Sequence, residues 1–273
     1  MSGKSFSDFL PQPGRQLLEK VQVNLPFPML VENLESVLSV GLQPEIYFSG
    51  QTLDHLSFAA TEEVSRKLKE KETSVTFHAP FMDLNPGAVD ERIRETTAFR
   101  FSQIMELVPL FNPKAIVFHP GYDHWRYDDN VDLWLEKSLL TWKPLVKRAQ
   151  ELAVKLALEN IFEDNPASLK RLLEVIDSPF LGYCLDPGHG QLFSKVALTD
   201  WIEVLGSRLV EIHLHDNHGH ADDHLPLGQG KIDFPAIFSR LQGKGLHPIY
   251  TIEPHFQEHL GPSLKALEKY LGE

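Results

Sequence analysis

Eight short segments rich in valine, isoleucine, leucine and phenylalanine recur along the chain, and each is followed by a longer stretch with helical periodicity. This alternation indicates repeated βα units, which place the chain in the α/β class with a parallel sheet. The predicted strands are Val21–Leu30, Pro44–Gly50, Ser74–Pro80, Ala115–Gly121, Val154–Ile161, Leu181–Gly188, Leu209–Asp216 and Pro248–Pro254. The predicted helices between them include Thr61–Lys71, Asp90–Leu110, Val131–Leu152, Ser168–Ile176 and Phe234–Leu241.

Polar side chains close six of these strands, and their distribution decides between the two folds that eight βα units can build. An open doubly wound sheet concentrates its site at one switch point, whereas a closed barrel brings all its strand ends to one mouth. The residues that end the six strands are His78, His119, Glu159, Asp186, His213 and Glu253. We therefore predict a single (β/α)8 TIM barrel.

The length of the chain fits this architecture. A barrel of this kind needs about 250 residues, and the chain has 273. No linker, low-complexity tract or shift in composition suggests a second domain, so we expect one domain over residues 1–273. Two helix starts are marked by Asp233, which precedes Phe234 and Pro235, and by Pro262 before the last helix.

The six strand-end residues carry titratable side chains that a barrel would bury together. A single histidine at a strand end is more often a hydrogen-bonded structural residue than a metal ligand. Six such groups in one mouth are different, because buried carboxylates and imidazoles without partners each cost several kcal/mol. A divalent cation among them is the simplest solution. Imidazole and carboxylate without thiolate suit Zn²⁺, Mn²⁺, Fe²⁺ or Co²⁺ better than Ca²⁺, and they also allow Mg²⁺.

Composition and charge limit the cellular compartments and the partners that we expect for this chain. The only cysteine, Cys184, lies in an apolar run, which excludes an intrachain disulfide and a cysteine zinc site and fits a reducing compartment. The first residues lack the apolar core of a signal peptide, and no apolar run approaches the ~18 residues of a membrane span. We expect a cytoplasmic protein with no membrane contact. The net charge of −12 would repel a phosphate backbone, which disfavours a nucleic-acid partner.

The most specific pattern follows the seventh predicted strand. It reads His213-Leu-His-Asp-Asn-His-Gly219 and then Asp222-x-His224-x-x-x-Gly-x-Gly-x-Ile-Asp233. Together with Leu158-Glu-Asn160 and Leu185-Asp-Pro-Gly-His189, it resembles the xylose isomerase-like TIM-barrel superfamily, in particular its sugar phosphate isomerase/epimerase branch. It is also similar to endonuclease IV, the apurinic-site nuclease of the same superfamily. The resemblance covers roughly residues 75–254.

The resemblance implies a set of metal ligands. In the isomerase branch, the residues that hold one ion correspond to Glu159, Asp186, His213 and Glu253. His213 matches better than His215, because the ligand of the family lies three residues before the position of Asp216. Endonuclease IV holds three zinc ions, and its further ligands correspond to His78, His119, His189, Asp222 and His224. The resemblance thus implies one to three divalent ions.

The activity implied by the resemblance is that of a metal-dependent isomerase or epimerase acting on a small sugar, sugar phosphate or related polyol. Glu159 and Glu253 would exchange a proton on opposite faces of the substrate, and His189 would orient a substrate oxygen. Ketose 3-epimerases of the branch usually carry an arginine where this chain has Gly219. A ketose 3-epimerase is therefore not the specific prediction, and the chemistry of dehydratases in the same superfamily remains close.

Two other classes of function stay open. The full ligand set favours an endonuclease IV-like phosphodiesterase acting on abasic DNA, whereas the acidic net charge and the lack of arginine-rich loops oppose it. The third class is a metal-stabilised binding protein without catalysis. The sequence determines neither the substrate, since loop shape sets specificity in this fold, nor the oligomeric state.

Three features of the strand-end loops have both a functional and a structural interpretation. Asp216 would point away from His213 and hold the second nitrogen of a ligand histidine. The turn Gly228-Gln-Gly230 would cradle a phosphate with its backbone N–H groups, or form an ordinary tight turn, which is the commoner case. The aromatic residues between Tyr122 and Tyr127 would cover the site, or form an exposed loop cluster or an oligomer contact.

Overall fold

Each predicted apolar segment contains a strand, and the eight strands close into one parallel barrel. The structure, a computed structural model, describes residues 15–271. The strands are β1 (Val21–Pro26), β2 (Gln43–Tyr47), β3 (Thr76–His78), β4 (Ala115–Phe118), β5 (Lys155–Glu159), β6 (Leu181–Leu185), β7 (Leu209–Leu214) and β8 (Ile249–Ile252). Each strand pairs with the next along the chain, and β8 pairs with β1 to complete the circle. The predicted (β/α)8 TIM barrel is confirmed.

Helices surround the barrel and cover the outer face of the sheet. They are α1 (Arg15–Leu18), α2 (Phe27–Val40), α3 (Gly50–Asp54), α4 (Phe58–Glu70), α5 (Glu91–Phe111), α6 (His124–Tyr127), α7 (Val131–Glu151), α8 (Ala167–Ile176), α9 (Pro187–Phe193), α10 (Leu198–Leu205), α11 (Phe234–Gly243) and α12 (Gln257–Leu271). The predicted cap of α11 is confirmed, because the side chain of Asp233 accepts the backbone N–H of Ala236.

Every predicted strand runs past the end of the observed strand, and the predicted strand Leu181–Gly188 overlaps α9, which begins at Pro187. Two predicted boundaries are wrong for a clear physical reason. The first predicted strand ran from Val21 to Leu30, but β1 ends at Pro26 and Phe27 begins α2. A short apolar run reads alike as a strand or as a buried helical turn, and Pro28 in the first turn of α2 is the signal for the helix. Pro262 does not start the last helix either. It lies inside α12, whose earlier turn is held by the buried side chain of Leu260.

The core has two layers, and the inner one positions the site. Between sheet and helices, large side chains pack in contacts such as that of Phe118 with Trp142. Inside the barrel, the small side chains of Val117, Ala157 and Cys184 form a separate cluster that is fully buried. Side chains alternate along a strand, so the residue two positions after each of these again points inward, at the carboxyl end of the barrel.

None of the helices between residues 15 and 271 is both long and apolar enough to cross a membrane. The prediction of one domain over residues 1–273 extends beyond the described part of the chain and stays a prediction.

Candidate metal centre

The carboxyl ends of the strands bring all the predicted ligands to one mouth of the barrel. Because every strand runs in the same direction, the side chains that follow the inner layer meet above it. We call these nine residues the strand-end cluster: His78, His119, Glu159, Asp186, His189, His213, Asp222, His224 and Glu253. His78, Glu159, Asp186 and His213 are each no more than 2% exposed.

Four members form a compact inner set, Glu159, Asp186, His213 and Glu253. One ligand atom from each lies within 4.8 Å of the others. Nδ1 of His213 lies 3.5 Å from Oε2 of Glu159 and 3.4 Å from Oε2 of Glu253. The same nitrogen lies 3.8 Å from Oδ2 of Asp186. These four donors therefore surround a single point.

Two further histidines approach the Glu159 carboxylate from the other side. Nε2 of His78 lies 3.3 Å and Nε2 of His119 3.4 Å from Oε2 of Glu159. Nδ1 of His78 donates to the backbone oxygen of Ala79 at 2.9 Å, which leaves its Nε2 free as an electron-pair donor. The ring of Phe81 stacks on that of His119 at 4.3 Å. Glu159 thus stands between two groups of ligands.

A third group connects to the first two. Nε2 of His189 lies 3.4 Å and Nε2 of His224 3.1 Å from Oδ2 of Asp222. Nδ1 of His189 lies 3.0 Å from Oε1 of Glu159, and Nδ1 of His224 donates to the backbone oxygen of Glu253 at 2.7 Å. The three groups form one contiguous cluster.

The electrostatics of the cluster keep its carboxyl groups ionised. Burial alone raises the pKa of Glu159, but His213 and His119 beside it hold the pKa well below its usual range. The pKa of Glu253 is likewise lowered by His213 against the effect of burial. Burial lowers the pKa of His213, but Cys184 and the carboxylate of Glu159 outweigh it and raise that pKa well above its ordinary value.

Several buried atoms of the cluster lack a hydrogen bond, which tests whether a cation fits. Both ring nitrogens of His213 and Oδ1 of Asp222 are buried without a hydrogen-bonding partner. Such atoms are costly unless something binds them. A divalent ion coordinated by imidazole nitrogens and carboxylate oxygens would satisfy them, and the donor set suits the transition ions named above. The residues present therefore fit a metal.

Glu45 on β2 and Glu211 on β7 lie inside the barrel, next to the strand-end cluster. The sequence analysis did not predict either residue as part of the site. Each side chain is fully buried in the barrel. Oε1 of Glu45 accepts from Nδ2 of Asn24 at 2.8 Å and lies 3.5 Å from Nε2 of His213. The sequence did contain a signal for both residues. A strand in a parallel barrel is buried on both faces, so a charged residue inside an apolar strand must be buried.

His215 contacts the strand-end cluster as well, although the prediction favoured His213 over it. Nε2 of His215 is 3.0 Å from Oδ2 of Asp186, and its ring stacks on that of His224 at 3.7 Å. This packing requires Gly188, because a Cβ atom there would lie 2.1 Å from Cε1 of His215. His213 and His215 are therefore both buried next to Asp186.

Asp216 plays a different part from the one expected. Its carboxylate accepts the backbone N–H groups of Gly228, Gly230 and Ile232, at 2.9, 2.8 and 3.2 Å. It therefore holds the loop after β7, and the second nitrogen of His213 faces Glu45 instead. The N–H groups of Gly228 and Gly230 are thus not free for a phosphate, which leaves the ordinary tight turn.

The aromatic segment after β4 is divided between the core and the solvent. Tyr122 and Tyr127 are buried and stacked on each other, whereas Trp125 is 84% exposed. The two tyrosines and Arg126 line a groove that leads to His119. The segment therefore lies beside the strand-end cluster and does not close over it.

Comparisons with known proteins agree with this geometry. The model of a family described as xylose isomerase-like TIM barrel matches residues 43–270. An uncharacterized protein of Methanocaldococcus jannaschii is 30% identical over 207 residues, which are 73% of this chain and 71% of that protein. A Mycobacterium leprae protein named "Probable endonuclease 4" is 26% identical over 190 residues, 65% of this chain and 72% of its own.

A solved structure is similar over almost the whole fold. The crystal structure of a D-tagatose 3-epimerase-like protein superposes with a TM-score of 0.80 at 27% identity. The match covers 92% of this chain and 97% of that chain. The similarity therefore includes the barrel and the strand-end loops that carry the cluster.

Proposed function

Because the chain belongs to the xylose isomerase-like TIM-barrel family, we propose that it is a divalent-metal-dependent isomerase or epimerase acting on a small sugar, sugar phosphate or related polyol. The similarity to a D-tagatose 3-epimerase-like protein supports sugar chemistry. The inner set Glu159, Asp186, His213 and Glu253 would hold the catalytic ion, and the other members of the strand-end cluster would hold up to two more.

Two carboxylates close to one nitrogen carry this proposal. Oε2 of Glu159 and Oε2 of Glu253 lie 3.5 and 3.4 Å from Nδ1 of His213, and they come from different parts of the barrel, since Glu159 ends β5 and Glu253 directly follows β8. We infer that a substrate carbon held between the two side chains would face one carboxylate on each side, as removing a proton on one face and returning it on the other requires.

The side chains divide the work of proton transfer. A divalent ion, when bound, supplies Lewis-acid polarisation of the substrate carbonyl and so acidifies the adjacent C–H bond. Glu159 and Glu253, both held ionised by neighbouring histidines, accept and return the proton at their carboxylate oxygens. His189, whose Nδ1 lies 3.0 Å from Oε1 of Glu159, would donate a hydrogen bond to a substrate oxygen.

Exchange of the substrate proton with solvent tests the proposal. Incubation of the metal-loaded protein with a panel of ketoses and aldoses in D₂O is expected to place deuterium on the carbon beside the carbonyl. Glu253→Gln is expected to lower this exchange by about a hundredfold or more while the far-UV circular dichroism stays unchanged. The matched control is Glu258→Gln, an exposed glutamate on the following helix, which is expected to keep full exchange.

The second candidate is an endonuclease IV-like phosphodiesterase acting on abasic DNA. The similarity to a protein named "Probable endonuclease 4" supports it, as does the presence of all nine residues of the cluster at one mouth. The net charge of −12 opposes it. Cleavage of an abasic-site oligonucleotide, together with no proton exchange on any sugar, would reverse the order of the two candidates.

A further inference from the structure

A groove extends from the strand-end cluster across the loops that follow β3 to β6. Its volume is about 850 Å³, and three members of the cluster, His119, His189 and Asp222, line its inner end. Sites for drug-sized ligands have volumes of about 300–1,000 Å³. The groove therefore has room for a substantial group beside whatever binds at the cluster.

Exposed apolar side chains line this groove. Met82, Val89 and Ile93 come from the segment after β3, and Phe162 and Phe193, whose rings meet edge to face at 5.0 Å, come from the segments after β5 and β6. These five side chains are between 38% and 69% exposed. Solitary exposed apolar residues are common on protein surfaces, but several in one concave site mark a place where apolar material binds.

The charges along the groove exclude a phosphate. Outside the strand-end cluster, three aspartates line it, Asp83, Asp90 and Asp123, and the only arginine or lysine that lines it is Arg126, which is exposed to solvent. A phosphate group lying in the groove away from the cluster would thus meet a surplus of negative charge. An uncharged ligand meets no such repulsion.

We propose that this groove binds an apolar group, aromatic or alkyl, that is carried by an uncharged sugar or polyol whose hydroxyls reach the strand-end cluster. The inference rests on the proposed function and narrows its substrate class: a glycoside-like molecule fits, and a sugar phosphate does not. A small molecule is the occupant because the groove is concave and opens directly onto the cluster, where a flat protein surface would not reach.

Binding of matched ligands tests the proposal. The zinc-loaded protein is titrated with methyl β-D-glucoside, phenyl β-D-glucoside and glucose 6-phosphate, and binding is followed by ligand-observed NMR and calorimetry. The phenyl glucoside is expected to bind about tenfold or more tightly than the methyl glucoside, from the apolar area that its ring buries. Glucose 6-phosphate is expected to bind no better than the methyl glucoside.

Two variants test whether the groove causes the tighter binding of the phenyl glucoside. Ile93→Asp, in the segment after β3, is expected to remove the advantage of the phenyl ring, and Val89→Asp in the same segment repeats the test if the first variant misfolds. Leu140→Asp is the matched control, because Leu140 is also an exposed apolar residue on a helix, 60% exposed, but is not among the residues that line the groove. It is expected to retain the advantage.

Several outcomes overturn the proposal. They are equal affinity for the phenyl and methyl glucosides, no binding of the phenyl glucoside, tightest binding of glucose 6-phosphate, or a dimer in solution that Ile93→Asp dissociates. The last result would assign the exposed apolar side chains of the groove to an interface between copies of the chain. Failure of the proposed function looks different: the phenyl glucoside binds with its advantage, but no sugar exchanges a proton.

Discussion

Glu45 is a residue that positions a ligand without lying at the strand end. Its buried carboxylate faces Nε2 of His213, so that Nδ1 of the same ring is directed toward Glu159 and Glu253. Carboxylates of this kind fix the orientation of a ligand histidine and raise its basicity. At the proposed metal site, Glu45 would therefore orient His213.

Replacing Glu45 by glutamine tests this role. Glu45→Gln retains a side-chain oxygen for Asn24 but removes the negative charge beside His213. We expect zinc affinity, measured by competition with a chromophoric chelator, to fall about 10- to 100-fold. Glu35→Gln, at a glutamate whose side chain is 79% exposed, is the control and should bind zinc as the wild type does. Unchanged affinity in Glu45→Gln would show that Glu45 is only a structural residue.

Glu163 illustrates the cost of a buried carboxyl group outside the cluster. Burial raises the pKa of Glu163 to about 7, although Oε2 accepts the backbone N–H of Ile161, and Oε1 has no hydrogen bond. Between its ordinary pKa of 4.5 and about 7, the folded protein keeps a proton that the unfolded chain releases. Stability is therefore lost as pH rises through this window and stays lost above it.

We predict that Glu163→Gln raises the free energy of unfolding by an amount that depends on pH. Glutamine keeps the acceptor for Ile161 and carries no charge, so the variant should be more stable than the wild type by on the order of 3 kcal/mol at about pH 8. At about pH 5 the gain should nearly vanish. Urea unfolding at the two pH values measures both, with the exposed Glu174→Gln as control. An equal effect at both values would contradict the buried, protonated state.

At the scale of elements, the loop after β7 is ordered by one side chain. Asp216 accepts three backbone N–H groups of residues 228–232 and also pairs with Leu225 through backbone hydrogen bonds. The same loop carries Asp222 and His224 of the strand-end cluster. Asp216 therefore determines where two predicted ligands lie.

Asp216→Asn should loosen this loop. An amide offers one acceptor in place of two and turns an N–H group toward the N–H groups of the loop, so we expect a loss of about 1–3 kcal/mol in the free energy of unfolding. Amide hydrogen exchange at Gly228 and Gly230 should become faster. Asp223→Asn, in the same loop, is the control and should exchange as the wild type does. Unaltered exchange in Asp216→Asn would contradict the role assigned to this carboxylate.

The strands and their ends could be predicted from the sequence because each leaves a local signal. An apolar run that ends in His78 or Glu159 indicates both a strand and the polar residue at its carboxyl end. The boundary between β1 and α2 left no such signal in the periodicity. Glu45 contacts His213 because β2 and β7 face each other across the barrel. The sequence of one strand does not show which other strands it faces, so this contact could not be predicted.

The interactions within the loop after β7 could not be predicted from local sequence patterns either. Asp216 and the glycines it binds are separated by up to fourteen positions along the chain, and only the folded turn shows that the carboxylate and the N–H groups meet. Likewise, the groove lies between loops that follow four different strands. Sequence patterns identified the strand-end cluster, and the folded chain supplied what surrounds it.

At the scale of the whole molecule, closure of the barrel creates the site. The cluster draws its residues from the carboxyl ends of six strands, from α9 and from the loop after β7, between positions 78 and 253, and no two neighbouring strands supply a complete ligand set. An ion bound there would bind the folded chain alone and stabilise it accordingly, by roughly 3–4 kcal/mol at concentrations of 100 to 1,000 times its Kd. Metal binding at the proposed site would therefore be coupled to folding.

The metal content of the purified protein tests the central claim, that the strand-end cluster holds a divalent ion. Protein prepared without any chelator is analysed by inductively coupled plasma mass spectrometry, beside Glu159→Gln and the surface control Glu258→Gln. We predict at least one tightly held divalent transition ion per chain in the wild type and the control, and a marked loss in Glu159→Gln, whose carboxylate joins the ligand groups. A wild-type protein that contains no such ion would contradict the account.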